Sequence, residues 1–201
     1  MNRTRPKRID KRLVPVMTAI MALLLLALTS ATAQEDAAAG DVTIASPVLI
    51  TSAGQSADTA VLNALLRRAQ VESTVVDVAG EGDLDGVASL LITLGGSQKG
   101  LGAAGISMNE EVARVEALLD AADELGITVV GLHIGGEGRR GPLSDPFIQA
   151  VAPRAHLLIA TNDGNQDGIF SAIAAENGIP LVLLDRVNDV GAEVTGRLAN
   201  E

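Results

Sequence analysis

ITVVGL, residues 127–132, runs straight into HIGGEGRRGPLSD, residues 133–145, and this passage decides the fold. Its first six residues are apolar without alternation, as in a parallel strand covered on both faces. Glycines at 135, 136, 138 and 141 then predict a loop. Asp145-Pro146 predicts an N-cap followed by proline at the first helical position. The passage therefore reads as strand, polar loop and helix, the opening of a βαβ unit.

Working outward, the same pattern recurs. Apolar runs at Val48–Thr51, Thr74–Val78, Leu90–Leu94, Ile127–Leu132, His156–Ala160 and Leu181–Leu184 predict strands. Val61, Leu62, Leu65, Leu66 and Ala69 mark one helix face, and Val112, Val115, Leu118, Leu119, Ala122 and Leu125 mark another. Ser107 and Glu110 form a capping box ahead of the second helix. The link 79–88 has room for a turn or two of helix around Leu84, and Gly191–Arg197 for a last weak helix. Strands alternating with helices imply right-handed crossovers. The expected class is α/β: one three-layer Rossmann-like or flavodoxin-like domain over 47–201, with five to six mostly parallel strands and helices on both faces.

The N-terminal end has a different character. Arg3, Arg5, Lys7, Arg8, Lys11 and Arg12 precede an apolar run, Leu13–Leu28, and then Ala31-Thr32-Ala33. That order predicts a signal peptide over 1–33, a flexible lead over 34–46, and an exported product, periplasmic, cell-surface or extracellular. The alternative is an uncleaved anchor, because Leu13–Ala33 is long enough to span a bilayer. Membrane contact is expected only through this segment. The chain has no cysteine, which excludes lipid modification at cysteine and any disulfide framework.

Six of the 15 cations and one of the 25 acids lie in the leader, which leaves nine against 24, a net charge of −15 on the rest. Such a body repels nucleic acid. With no Trp or Tyr and with Phe147 and Phe170 alone as aromatics, stacking platforms for bases or sugars are also lacking.

Ligands of open α/β sheets sit beyond the carboxyl ends of the strands. Four glycine-rich or polar loops should meet there: 52–56, 95–107, 133–145 and 161–168. Two are longer than usual for such connections. Arg139 and Arg140, adjacent on an acidic body, suit bidentate capture of a carboxylate or phosphate, or else pair with Glu137, Asp145 or other surface acids. Lys99 stands beside a flexible, amide-rich stretch that could cradle an anion. Gln55, Ser56, His133 and Glu137 complete the expected ligand-binding set, with His133 either a ligand contact or a core histidine. His156 starts a strand and is expected to be structural.

Three sharper motifs weaken on inspection. Gly100-x-Gly102-x-x-Gly105 starts several residues past its strand and ahead of the capping box, unlike a dinucleotide fingerprint. Asp163, Asn165 and Asp167, with Gly168 next, resemble the first half of a calcium loop. Position 12 is Ala174, however, so a last carboxylate would have to come from Glu193 or Asp185; otherwise the stretch is a polar turn whose Asp167 caps a helix near Ile169. Calcium is thus the one metal expectation, and no other cofactor is implied. Ser52, Ser56, Ser97, His133 and Asp163 could share the edge for hydrolase or transferase chemistry with His133 as base, but the chain lacks a G-x-S-x-G elbow.

Taken together, ITSAGQSAD (50–58), KGLGAAGIS (99–107), HIGGEGRRGPLSD (133–145) and GNQDGIF (164–170) resemble an uncharacterised family of exported bacterial α/β domains of unknown function. The resemblance covers about Pro47–Val190 and implies export and a Rossmann-like sheet; it supplies no activity and no catalytic residue. The functional expectation is an extracytoplasmic domain that binds a small anionic ligand at the carboxyl edge of the sheet. Alternatives are an exported hydrolase or transferase, and a structural module with a calcium-stabilised loop.

Overall fold

The computed structural model describes residues 42–199. The segment 1–33, with its expected leader, lies outside the described residues, as does most of the expected lead. Six strands, β1 (Val48–Ala53), β2 (Thr74–Val75), β3 (Ser89–Leu94), β4 (Thr128–His133), β5 (Leu157–Thr161) and β6 (Leu181–Leu184), form one all-parallel sheet in the order β2-β1-β3-β4-β5-β6. Every apolar run predicted as a strand is one, and β1, β3 and β5 are buried at every residue, as two covered faces require. The expectation of five to six parallel strands resolves to six.

The helices are α1 (Asp58–Arg68), α2 (Gln98–Ala104), α3 (Met108–Leu125), α4 (Asp145–Val151), α5 (Ile169–Asn177) and α6 (Val190–Gly196). α1 and α6 cover one face, where Leu62, Leu66, Val190 and Val194 pack with Ile50, Leu91 and Val130. α3, α4 and α5 cover the other, where Val115, Leu118, Phe147, Ile148 and Phe170 pack with Leu49, Leu90 and Ile92. The change of face follows the reversal of strand order, since right-handed crossovers leaving β1 toward β2 and β3 toward β4 place their helices on opposite sides. Among the described residues no helix is long and apolar enough to cross a membrane.

Local signals explain most element ends. The Ser107–Glu110 box caps α3 in both directions, and Gly126 in the left-handed region ends it. Leu84 anchors the predicted short turn, a 3₁₀ turn over Glu81–Leu84. Two expectations need correction. The cap of α4 is Ser144, with Asp145 inside the helix; Ser144 Oγ instead accepts from Gly96 N–H (2.9 Å), and Asp145 Oδ1 accepts from Gly141 N–H (3.0 Å). Residues 42–46 also belong to the folded body: Ile44 is fully buried, pairs with Leu198 and accepts from Ala199 N–H (3.0 Å).

Candidate functional site

The strand order reverses between β1 and β3, because β2 and β3 flank β1 on either side. That switch point is where the loops after two strands diverge and leave a crevice. Beside it lie two of the four buried side-chain oxygens without a hydrogen-bond partner among the described residues, Ser52 Oγ near the end of β1 and Asp58 Oδ2 at the start of α1; the other two are Thr161 Oγ1, at the end of β5, and Ser73 Oγ. Buried polar atoms are nearly always satisfied in folded proteins, so such a grouping marks a place where something outside the chain completes the bonding.

Asp58 is the centre of it. The side chain is 10 % exposed and its Oδ2 is fully enclosed, while Oδ1 faces Arg139 Nε at 3.8 Å, beyond hydrogen-bond distance. Ser56 Oγ accepts from Asp58 N–H (3.2 Å), a local turn that starts α1 and aims the carboxylate across the strand ends. The room it occupies exists because Gly95 and Gly135 lack side chains. A Cβ on Gly95 would stand 3.0 Å from Asp58 Oδ2 and 3.2 Å from Ser56 Oγ, and one on Gly135 would stand 2.8 Å from Asp58 Oδ2 and collide with the Arg139 stem. The structure thus brings together Ser56, Asp58, Gly95, Gly135 and Arg139.

The other expected residues separate into two groups. Gln55 turns away: with φ at 57°, its Nε2 donates to Asp77 O and to Glu111 Oε1, each at 2.9 Å. Arg140 is fully engaged, donating from Nε to Asp145 Oδ1 (3.1 Å), from Nη1 to Gly164 O (2.8 Å) and Asp167 Oδ1 (2.9 Å), and from Nη2 to Asp167 Oδ2 (2.9 Å). Its guanidinium also lies over the Phe170 ring, 5.7 Å from the centroid. The hydrogen bonds to Asp167 hold the Arg140 pKa above its ordinary value and that of Asp167 below. Lys99 and Glu137 are exposed, and their side chains form no hydrogen bond or ion pair among the described residues.

His133 is completely buried, with Nδ1 2.8 Å from Leu94 O and Nε2 3.1 Å from Gly136 O, and its ring stacks on Phe170 at 5.1 Å between centroids. Both ring nitrogens face main-chain carbonyls inside the fold, so neither is open to the crevice. It pins the β4 loop to β3. His156 is structural as expected, its Nδ1 accepting from Val129 N–H (3.0 Å).

The calcium motif is dispersed by the fold. Asn165 Oδ1 accepts from Phe170 N–H (2.9 Å) at the start of α5, Asp167 faces Arg140, and Asp163 lies against Gly136. Asp167 also accepts from Ile169 N–H (3.3 Å), the capping role foreseen for it. Asp185 accepts from Asn162 Nδ2 (2.7 Å) and Glu193 pairs with Arg197 (2.6 Å). Among the described residues no three His, Asp or Glu side chains stand close enough to hold a metal ion.

The amide-rich 95–107 stretch is likewise more ordered than a flexible cradle. Ser97 Oγ caps the short helix α2 by accepting from Gly100 N–H (3.0 Å), and the Gly95 and Ser97 amides bond to Ala53 O and Gly54 O. Gly100 is there because the Gln55 carbonyl occupies the space of a side chain.

A buried ion pair escaped the sequence reading. Glu111 on α3 is fully buried; its Oε1 accepts from Gly54 N–H (2.9 Å) and Gln55 Nε2, and its Oε2 pairs with Arg114 Nε (2.7 Å). Arg114 in turn donates to Ala79 O (2.6 Å) and Ser52 O (2.5 Å). The pair clamps the β1 loop that presents Ser56 and Asp58. Its signal was available: Glu111 stands four residues before Val115, on the same apolar stripe.

A separate cleft of about 1240 Å³ opens at the amino edge, lined among others by Ile44, Ser46, Asn63, Arg67, Glu72 and Ser73. Volume favours the cleft. It holds a single orphaned oxygen and no loop from a carboxyl strand end, so the carboxyl edge is the better-supported site.

Fold and switch-point crevice define a three-layer Rossmann-like α/β domain. The chain belongs to the family described as domain of unknown function DUF6305, whose model matches residues 45–196. No curated protein matches the sequence. Among solved structures, it is similar to the psychrotrophic esterase EstA from Pseudoalteromonas sp., inhibited by monoethylphosphonate, at 13% identity and TM-score 0.32, covering 70% of this chain and 77% of that one. It is also similar to TesA, at 17% identity and TM-score 0.29, covering 67% and 76% respectively. Superpositions this loose carry no inference about activity.

Proposed function

We propose that the protein is an extracytoplasmic binding domain for a small anionic ligand, a carboxylate or phosphate, held at the carboxyl edge of the sheet. The observation that carries this reading is Arg139. Its side chain is 36 % exposed above the Gly95–Gly135 crevice, and its sole ion pair is a loose one at 3.8 Å. A guanidinium with free donors beside a glycine-walled crevice is suited to bidentate capture of an anion. Ser52, whose hydroxyl lacks a partner among the described residues, is a further donor near the end of β1. Export rests on the basic lead, apolar run and Ala31-Thr32-Ala33 of the leader.

Thermal-shift screening of the protein against carboxylates and phosphates tests the binding role. A hit is expected to lose its effect in Arg139→Ala. Stabilisation that persists in that variant removes Arg139 from the site. N-terminal sequencing of the protein recovered outside the cytoplasm tests export; a chain beginning at Gln34 is the expected product, and an intact Met1 the contrary one.

A further inference from the structure

We propose that the ligand's acid group is accompanied by a hydrogen-bond donor, a hydroxyl or an ammonium, and that this donor goes to Asp58 Oδ2. The inference rests on the reading of this edge as an anion site and specifies the chemical class: small hydroxy acids or amino acids in preference to plain carboxylates.

Two observations lead there. The first is the unsatisfied Asp58 Oδ2, an acceptor nine-tenths buried at the switch point and matched by no donor among the described residues. A carboxylate oxygen can only accept, so its complement is a donor. What lies beside it is the stem of Arg139, whose Cγ and Cβ converge with Asp58 Oδ2 on the empty side-chain position of Gly135. No hydrogen bond ties the Arg139 head to Asp58. When that head turns to an incoming acid group, its stem leaves Oδ2 open to the atom next to it.

The second is the charge balance around the crevice. Asp58, Asp163 against Gly136, and Glu137 on the same turn are three acids near Arg139, while the neighbouring Arg140 is engaged by Asp145 and Asp167. A bare anion adds a fourth negative charge beside a buried carboxylate. An acid bearing an adjacent ammonium or hydroxyl answers both groups at once, its acid group facing Arg139 and its donor facing Asp58. Sites built to hydrogen-bond a substrate donor reject analogues without one strongly, because the partner is then left unpaired.

Two trios of shared carbon skeleton provide the test: succinate, malate and aspartate, and propionate, lactate and alanine, titrated calorimetrically into the protein. The hydroxy or amino member of a trio is expected to bind about tenfold or more tighter than its plain counterpart. Asp58→Asn should erase that preference, because the amide can present its NH2 where the carboxylate oxygen stood. Equal affinity across both trios, or a preference that survives Asp58→Asn, overturns the inference. Binding without preference that is nevertheless lost in Arg139→Ala leaves the anion-site reading intact and overturns only this one. Binding indifferent to Arg139→Ala, or none by any member, overturns both. The trio comparison on the unaltered protein stands even if a variant fails to fold.

Discussion

Arg139 and Arg140 are joined by one peptide bond, yet they belong to two different regions. The Arg140 side of the β4 loop is a closed network in which Asp145, Asp167, Gly164 O and the Phe170 ring engage the guanidinium, leaving the side chain 12 % exposed. The Arg139 side has one ion pair at 3.8 Å, a side chain 36 % exposed, and a carboxylate oxygen with no partner. The difference teaches that adjacency in sequence does not make a bidentate pair. The 3₁₀ turn Glu137–Arg139 ends at Arg139 and Arg140 is extended, with φ at −107° and ψ at 169°, so the two side chains leave the backbone into different surroundings. One arginine then assembles the loop, and the other is left for a ligand.

The comparison can be broken most forcefully from beneath. The open side stands on the Glu111–Arg114 clamp, and removing one partner of a buried pair typically costs about 3–5 kcal/mol because the other charge is stranded. Glu111→Ala should therefore lower the denaturation midpoint sharply, and a loss below about 1 kcal/mol would show that the clamp is not what holds the β1 loop.

Next in size is the contrast between the arginines themselves. Arg140→Ala should cost about 2 kcal/mol, since several charge-assisted hydrogen bonds and a ring contact go with it. Arg139→Ala should stay within about 0.5 kcal/mol of the unaltered protein. Equal losses by denaturant titration would erase the distinction between the two sides.

The smallest effect is the pH dependence of the closed side. Hydrogen bonding to Arg140 holds the Asp167 carboxyl below its ordinary range. A lowered carboxyl pKa contributes stability that is fully present above the unfolded value, near about 3.9, and is lost as pH falls through the folded one. Asp167 is 59 % exposed, so solvent screening keeps the contribution below about 1 kcal/mol. Melting curves of the unaltered protein and Asp167→Asn should converge in that acid window; a gap that widens there would contradict the pairing.

Much of the fold was legible because the signals are local. The unbroken apolar runs and the Ser107–Glu110 box act within a few residues of where they stand, and each was observed in its expected role. Loops were harder. The glycines of 95–107 suggested a mobile anion cradle, whereas Gly100 makes way for the Gln55 carbonyl and Ser97 caps a helix. The Asp163–Asp167 pattern had the spacing of a calcium loop, but its oxygens turn to the start of α5 and to Arg140. Gln55 was in the expected binding set, and it is Glu111, more than fifty positions away, that turns it inward.

By itself the sequence determined the class: six strand-length apolar runs, helices between them with their caps, and a membership that spans the domain. Hydrophobic period and capping are properties of neighbouring residues, so they are written along the chain. Only the tertiary structure decided which polar groups are left over. Whether an arginine is free or engaged, and whether a carboxylate such as Asp58 is satisfied, depends on partners brought from distant strands and on space left by glycines such as Gly135. Those quantities are set by packing, and packing exists only once the chain has folded.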